Sequence, residues 1–388
     1  MFDKADYIKR GFNFLNNHLF PAHKRISSLM IYATDLCDSA CKHCLIWAKR
    51  PPKYLSFEMI KKIMESKCIS EKTNVGLEGG EFLLHPEADE ILNWFSHNHP
   101  NFDIFSNCLK PERLITAVEK YKPKRLYISL DGTEDTYRYM RGKDGYNNVL
   151  KVVESLKDKV PVFVMFTLSP YNDFDDLEHV AELCNFHKVF LRVGIYNNIP
   201  FFDTIDNAKS SRFGQLKNKE LLSFKKAKQL QEGLSNEQTE VLELKENVTS
   251  NRREQIPLII KEFQENYDYV QLYDNWTKGH LRLKCHSIMD SVVILPDGSV
   301  PVCQNLDVKL GNVYNDNLDH IFNSGESVKT QKHYSENCNQ CWISYHRKYD
   351  IILYRTFEKY FGRWATSKML GYYKWSDDDS TKYKDAIK

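Results

Sequence analysis

Short apolar runs alternate with amphipathic stretches between residues 28 and 195. The runs are rich in β-branched and aromatic residues and mostly lack polar alternation, which is typical of parallel strands covered on both faces. The predicted strands are Ser28–Thr34, Asn74–Glu78, Phe102–Phe105, Arg125–Leu130, Val160–Leu168 and Val189–Val193. The predicted helices, with N-caps at Ser56 and Asp173 for the first and last, are Phe57–Lys67, Glu87–Asn98, Pro111–Tyr121, Asn147–Asp158 and Phe174–His187.

Six β–α units in succession predict an α/β fold with right-handed crossovers, either an open doubly wound sheet or a barrel. In both architectures functional groups gather at the carboxyl ends of the strands. We therefore expect chemistry in the loops that follow these apolar runs.

The pattern changes beyond about Phe201. Residues 217–265 carry nine basic and nine acidic residues, which predicts solvated helices with charged faces, or alternatively a lid or partner surface. Further on, two β-branched runs flank Pro296-Asp297-Gly298 and predict a β-hairpin that ends at Cys303. The segment after Cys341 is dense in aromatic residues and predicts a helix packed on the body.

Composition limits the class of protein. The chain has 388 residues and a formal net charge of +2, so it shows no strong preference for nucleic acid. The longest apolar run, about Val160–Phe166, is far shorter than the roughly 20 residues of a membrane span, and no secretory signal precedes it. We expect a cytoplasmic protein without a membrane span or a nucleic-acid partner.

Ten cysteines in a long chain without a secretory signal favour metal ligation over disulfides. Cys37, Cys41 and Cys44 follow directly on the first strand. Three close thiolates can bind three irons of a cubane cluster and leave the fourth iron open. Zinc is the alternative, but adjacent His43 and Cys44 would strain to share one ion.

The Cys-x3-Cys-x2-Cys spacing after a first strand resembles the radical SAM superfamily over residues 28–195. Glu78-Gly79-Gly80-Glu81 closes strand two and resembles the family's Gly-Gly-Glu motif, which implies that Gly79, Gly80 and Glu81 bind the methionyl amine of S-adenosylmethionine. Further contacts to this cofactor are implied for residues at other strand ends and beside the third cysteine: His43, Ser106, Asn107, Ser129, Asp131 and Arg141. The implied fold is a partial (β/α)6 TIM-like barrel.

Near the other end of the chain, four cysteines form a second set: Cys285, Cys303, Cys338 and Cys341. Such a set suits structural zinc or an iron–sulfur cluster. With the predicted hairpin and a short helix near Leu318–Phe322, the region resembles the twitch domain, a shortened form of the SPASM domain. The resemblance implies a small β-hairpin/α domain that holds one auxiliary [4Fe–4S] cluster.

The resemblance implies a radical SAM oxidoreductase that cleaves S-adenosylmethionine reductively, abstracts a substrate hydrogen and oxidises the substrate radical through the auxiliary cluster. An external donor such as flavodoxin or ferredoxin would supply the electron. Arg192 is a candidate for substrate binding or deprotonation, and Cys108 for hydrogen-atom donation. Cys68 and Cys184 lie on apolar helical faces and are predicted to be packing residues.

Three functions remain open from the sequence. The four-cysteine pattern resembles that of an aminocyclitol dehydrogenase, which implies a small polar substrate such as a sugar or cyclitol. The alternative is a peptide-modifying maturase that cross-links, epimerises or oxidises its substrate, although the first cysteine at residue 37 leaves no room for a leader-binding domain in front. A zinc-stabilised binding protein is a third class.

The sequence predicts five segments. They are an N-terminal helical extension (1–27), the partial barrel (28–200), a charged, mainly helical connecting segment (201–284), the auxiliary-cluster domain (285–345) and an aromatic-rich helical tail (346–388).

Overall fold

A computed structural model of the chain describes residues 4–49, 51–169, 171–196, 269, 272–273, 276, 281, 283–338 and 341–370. Its strands are β1 (Ser28–Thr34), β2 (Asn74–Gly79), β3 (Phe102–Ser106), β4 (Arg125–Ser129), β5 (Val162–Leu168), β6 (Phe190–Ile195), β7 (Ser291–Ile294), β8 (Ser299–Pro301) and β9 (Lys309–Asn312). Its α-helices are α1 (Lys4–Leu19), α2 (Phe57–Met64), α3 (Ala88–Asn98), α4 (Pro111–Tyr121), α5 (Glu134–Arg141), α6 (Tyr146–Leu156), α7 (Phe174–His187), α8 (Leu318–Asn323), α9 (Gly325–Asn337) and α10 (Ser344–Leu370).

Seven parallel strands form a curled half-barrel in the order β6-β5-β4-β3-β2-β1-β7. The predicted α/β fold class is confirmed, and the six predicted strands are present with ends shifted by a few residues at most. Both predicted N-caps form: the Ser56 side chain accepts a hydrogen bond from the Met59 amide, and Asp173 makes a capping box.

The two faces of the half-barrel differ in chemistry because successive strand residues point to opposite sides. Outward residues such as Leu29, Leu77 and Ile128 are fully buried in one apolar core with the helices. The inner face carries polar and charged residues as well. Its members are Ser28, Met30 and Tyr32 on β1, Asn74, Gly76 and Glu78 on β2, Asp103 and Phe105 on β3, Arg125, Tyr127 and Ser129 on β4, Met165 and Thr167 on β5, and Arg192 and Gly194 on β6.

The predicted hairpin at Pro296-Asp297-Gly298 forms only next to its turn. The Gly298 amide donates to the Leu295 carbonyl at 2.8 Å, and the Leu295 amide donates to the Ser299 carbonyl at 2.9 Å. However, β7 joins the large sheet parallel to β1, while β8 pairs antiparallel with β9. The apolar residues of β7 are buried because they cover the edge of β1. The part of the chain from Cys285 onwards, called here the C-terminal extension, therefore completes the half-barrel.

Helix α10 only partly confirms the predicted packing of the aromatic tail. Tyr349 and Tyr354 are buried, but Tyr360 and Trp364 beyond them are exposed. The helix is interrupted at Gly362, whose φ of 74° lies in the left-handed region that favours glycine. The tail therefore packs through its first half and again at Thr366 and Leu370, which are buried beyond Gly362.

Most of the predicted connecting segment, 201–284, lies outside the described residues, as do residues 371–388 of the tail. Of the segment's described residues, Tyr269 and Trp276 are buried against Trp342, whose indole Nε1 donates to the Tyr269 carbonyl at 2.9 Å. Among the helices that the structure describes, none is long and apolar enough to cross a membrane.

Candidate active site

A cavity of about 590 Å³ extends through the half-barrel along the strands. At the carboxyl edge it is lined by the thiols of Cys37, Cys41 and Cys44, and at the amino edge by Asp103 and Arg125. The C-terminal extension also contributes to its wall, through Gln304, Ile343, Ser344, Tyr345, Lys348 and Tyr349. Parts of the chain that are distant in sequence therefore enclose one space.

The loop that carries the first three cysteines is held by the end of α5. The Ala40 amide donates to the Arg141 carbonyl at 3.0 Å, and the Lys42 amide donates to the Met140 carbonyl at 2.8 Å. Gly142 follows with a φ of +62°, and a Cβ there would lie 2.9 Å from the Ala40 carbonyl oxygen. The cysteine loop is thus positioned by backbone contacts that the sequence spacing did not reveal.

Polar groups already surround two of these thiols. Arg141 Nη1 donates to Cys41 Sγ at 3.9 Å, and Asn107 Nδ2 donates to Cys37 Sγ at 3.8 Å. Burial raises the pKa of the Cys37 thiol to about 12 and raises the pKa of Cys44 further. Because metals bind the thiolate, binding here releases protons and is favoured by donors that face the sulfurs.

The backbone after β1 passes so close to Gly79 and Gly80 that neither position has room for a side chain. A Cβ on Gly79 would lie 2.2 Å from the Thr34 carbonyl oxygen, and one on Gly80 would lie 2.0 Å from the Leu36 carbonyl oxygen. Both glycines line the cavity beside the cysteine loop. Their small size lets the end of β2 lie directly against the end of β1.

The carboxylate of Glu81 is hydrogen-bonded to other groups of the protein. Its carboxylate accepts hydrogen bonds from Ser106 Oγ at 3.0 Å and from the Asn107 amide at 2.8 Å. The side chain is buried, and burial raises its pKa to about 7. It is not among the described residues that line the cavity, so its role in binding an ammonium group stays a prediction.

Ser106, Asn107 and Ser129 do line the cavity at the ends of β3 and β4, as predicted for the strand ends. Asp131 is fully buried behind them and binds Arg141, with Nε to Oδ2 at 2.9 Å. The other Asp131 oxygen accepts the Thr167 amide at 2.9 Å. Asp131 therefore orients the arginine beside Cys41 and does not itself line the cavity.

Replacing Asp131 with alanine is expected to lower the free energy of unfolding by about 3–5 kcal/mol, because Arg141 would be left buried without its partner. Urea denaturation of the cluster-free chain measures this. Arg138→Ala is the control: Arg138 is half exposed in its ion pairs, and the expected loss is below about 1 kcal/mol. If both variants lost the same free energy of unfolding, Asp131 would not be the partner that stabilises the buried Arg141.

His43 and Arg192 line the cavity, whereas Cys108 does not. His43 Nδ1 is buried and has no hydrogen-bond partner among the described residues, and burial lowers the pKa of this imidazole to about 4. The Arg192 guanidinium lies 5.6 Å from the centroid of the Tyr127 ring. Cys108 is fully buried, so its position gives no support to hydrogen-atom donation, which stays a prediction.

The second set of thiols comes together in the C-terminal extension. Cys285 and Cys303 share a small apolar cluster against which Cys338 packs, and the charges of Cys303 and Cys341 would interact. Burial raises the pKa of Cys303 to about 12 and also raises the pKa of Cys285 and Cys341.

Arg347 is a buried cation beside these thiols. It is 1% exposed, and its Nε donates to the Cys341 carbonyl at 3.1 Å. Its charge lowers the pKa of Cys285 and Cys341 against the larger effect of burial. A buried positive charge suits a site that gathers several thiolates, since it offsets their negative charge.

Within the described parts of the chain, no group of three or more His, Cys, Asp or Glu side chains converges on a point that could hold a single metal ion. This finding concerns mononuclear sites, where four donors approach one zinc ion to about 2.3 Å. The cysteines of a [4Fe–4S] cluster each bind a different iron, so they surround a volume and need not converge on one point. The two sets supply three and four cysteines for such clusters.

Many residues of the cavity wall had no functional signal in the sequence, among them Tyr32, Glu78 and Gln304. Tyr32 gave no signal because it lies within an apolar strand, and Gln304 gave none beyond its place after Cys303. Glu78 stood out only as part of a motif, although a carboxylate within an otherwise apolar strand is itself unusual.

Comparisons with known families match both regions of the chain. A model of the radical SAM superfamily matches residues 31–184. A model of SPASM, an iron–sulfur cluster-binding domain, matches residues 285–342 and so includes all four cysteines of the second set.

Among characterised proteins, the chain is 22% identical over 346 residues to the antilisterial bacteriocin subtilosin biosynthesis protein AlbA of Bacillus subtilis, over 81% of this chain and 68% of AlbA. Its fold resembles that of Streptococcus suis SuiB bound to its precursor peptide SuiA, with 14% identity, a TM-score of 0.52 and coverage of 81% and 68% of the two chains. It also resembles anSMEcpe with bound AdoMet and Cp18Cys peptide, with 15% identity, a TM-score of 0.51 and coverage of 86% and 96%.

Proposed function

The chain is a radical SAM enzyme with a C-terminal SPASM domain, and from this premise we propose that its substrate is a peptide. It uses S-adenosylmethionine and two [4Fe–4S] clusters. The observation that carries the proposal is the alignment with a bacteriocin biosynthesis protein, which extends over 81% of the chain. The expected small polar substrate has no comparable support.

Two structures of the same fold are consistent with the proposal. SuiB was solved with its precursor peptide SuiA, and anSMEcpe was solved with AdoMet and the Cp18Cys peptide. Their low identity limits this likeness to the fold. The proposed substrate class therefore rests on AlbA, which aligns over 81% of this chain and 68% of its own length.

We assign the S-adenosylmethionine-binding cluster to Cys37, Cys41 and Cys44. When bound, the cluster and S-adenosylmethionine supply reductive cleavage and abstraction of hydrogen from an unactivated carbon. Arg141 and Asn107 donate towards the sulfurs, which favours the more negative state of the cluster. Gly79 and Gly80 leave room at the cavity wall for close approach of the cofactor.

The auxiliary cluster is assigned to Cys285, Cys303, Cys338 and Cys341. Four cysteine ligands would leave such a cluster no open iron, and it would supply an acceptor for the electron that the substrate loses. Arg347 stabilises this buried anionic site. Gln304 lies next to a ligand and also lines the cavity, so substrate in the cavity lies between the two cluster sites.

The electron for cleavage would come from flavodoxin or ferredoxin. We place the reaction in the cytoplasm, where reducing conditions keep the thiols available for clusters.

The test has two steps. First, the reconstituted chain is analysed for iron, sulfide and dithionite-dependent 5′-deoxyadenosine; about eight irons per chain and slow cleavage are expected. Second, the chain is co-expressed with tagged short peptides encoded beside its gene, and each peptide is weighed by mass spectrometry. A peptide that loses hydrogen mass supports the proposal. Turnover of a sugar or cyclitol, with every peptide unchanged, would overturn it and leave the enzyme class intact.

A further inference from the structure

Two carboxylates line the cavity among the described residues, Glu78 and Asp103. Asp103 is paired at the amino edge, where its oxygens accept Arg125 Nε at 2.9 Å and Arg125 Nη2 at 3.0 Å. Glu78 lies at the opposite end of the strands, directly before Gly79. Of the two carboxylates that line the cavity, it is the one beside Gly79 and Gly80, which contact the start of the cysteine loop.

Glu78 is oriented by a chain of hydrogen bonds that begins beside the auxiliary cluster site. Gln304 Nε2 donates to the Tyr32 hydroxyl oxygen at 2.6 Å, and Tyr32 is hydrogen-bonded to Glu78. Since the tyrosine oxygen accepts from Gln304, its own proton is directed to the carboxylate. Gln304 immediately follows Cys303, so this chain connects the two domains.

The groups that face Glu78 come from three elements: Tyr32 on β1, Arg192 on β6 and Tyr345 on α10. Burial raises the pKa of Glu78 to about 7, while the Tyr32 hydrogen bond and the Arg192 charge lower it. Burial also raises the pKa of both tyrosines, so they remain neutral near pH 7. A carboxyl that titrates near neutral pH both accepts and releases a proton readily.

We propose that Glu78 is the group that accepts a proton from the substrate in this cavity, with Tyr32 and Gln304 as positioning residues. The proposal rests on the proposed function, and specifically on net oxidation of the substrate. It assigns Glu78 a role separate from that of Glu81, whose oxygens are held by Ser106 and Asn107.

The oxidation balances as follows. A substrate carbon loses one hydrogen atom, which ends in 5′-deoxyadenosine. The resulting substrate radical then loses one electron to the auxiliary [4Fe–4S] cluster and one proton, from a neighbouring atom, to a Glu78 oxygen. A new bond between the carbon and that atom replaces the two bonds to hydrogen. Glu78 afterwards releases the proton to water.

The first test needs no substrate. Infrared difference spectra of the full, cluster-loaded chain are recorded against pH for wild type, Glu78→Gln and Tyr32→Phe. The wild-type-minus-Glu78→Gln spectrum is expected to contain a carboxylic acid band that titrates near pH 7. The difference spectrum separates Glu78 from Glu81, whose pKa is also raised to about 7. Tyr32→Phe should move the midpoint to higher pH, because it removes a donor that stabilises the carboxylate. A midpoint in the ordinary glutamate range, or one that Tyr32→Phe leaves in place, would overturn the proposal.

The second test uses the peptide that wild-type chain modifies on co-expression. Glu78→Gln is expected to raise the ratio of 5′-deoxyadenosine to modified peptide by about 100-fold or more, as for loss of a general base. Glu90→Gln, an exposed carboxylate on α3, is the matched control and should keep the wild-type ratio. An unchanged ratio in Glu78→Gln would overturn the inference alone. Absence of 5′-deoxyadenosine from wild-type chain would instead overturn the proposed function, and the infrared test would still decide the state of Glu78.

Discussion

Replacing Cys41 with alanine is expected to abolish 5′-deoxyadenosine formation while about half of the iron remains, roughly four of eight atoms per chain. Cys41 is buried beside Arg141 and Ser39, and alanine provides no ligand for an iron there. A cluster held by two remaining cysteines loses the geometry that leaves one iron open to S-adenosylmethionine. Iron analysis and chromatography of 5′-deoxyadenosine after dithionite reduction measure both effects.

The matched control is Cys184→Ala. Cys184 is fully buried in α7 and belongs to the main apolar core, outside both thiol sets. This variant loses the same atom from the interior and should keep its full iron content and its cleavage activity. If Cys41→Ala retained all of its iron, the assignment of two separate clusters would be wrong.

A Cys303→Ala variant is expected to lose formation of the modified peptide while 5′-deoxyadenosine still forms. Cys303 lies in the C-terminal extension, and the three cysteines of the first set lie on the loop after β1. Removing one auxiliary ligand therefore removes the electron acceptor without touching the loop that is assigned to S-adenosylmethionine. Iron should again fall to about half.

Folding must be checked for this variant, since β7 of the C-terminal extension completes the half-barrel. Circular dichroism melting, compared with wild type and Cys184→Ala, separates cluster loss from unfolding. A folded, iron-depleted Cys303→Ala chain that still yields modified peptide would show that the auxiliary cluster is not the electron acceptor.

Local sequence patterns were sufficient for most elements of the half-barrel. Helices α4 and α7 begin and end where the sequence predicts, because amphipathic spacing, the Asp173 cap and the proline at the start of α4 are properties of neighbouring residues. The pairing of β7 with β1 could not be found in this way. These strands are separated by more than 250 residues, and the turn signal at Pro296-Asp297-Gly298 is compatible with either pairing.

The candidate active site likewise combines features that follow from local sequence with features that depend on long-range contacts. Cysteine spacing after an apolar strand is a property of the covalent chain, so both thiol sets could be proposed from the sequence. The structure brings the first set to one cavity wall and three members of the second set to one apolar cluster, and their role as cluster ligands stays a prediction. The partners of Arg141 and Glu81 were not predicted, because each is fixed by contacts between loops at different strand ends. The sequence resemblance implies that Glu81 binds the methionyl amine of S-adenosylmethionine, whereas in the structure its carboxylate oxygens accept hydrogen bonds from Ser106 and Asn107.

The sequence by itself determined the enzyme class and the positions of strands β1 to β6 along the chain, and it predicts the two sets of cluster ligands. Tertiary structure decided which carboxylate faces the cavity. Alternation along β2 places Asn74, Gly76 and Glu78 on one face, but only the curl of the sheet makes that face the inside, and only the return of the C-terminal extension brings Gln304 to Tyr32. Contacts across such distances depend on the packed fold as a whole, and no local pattern of residues encodes them.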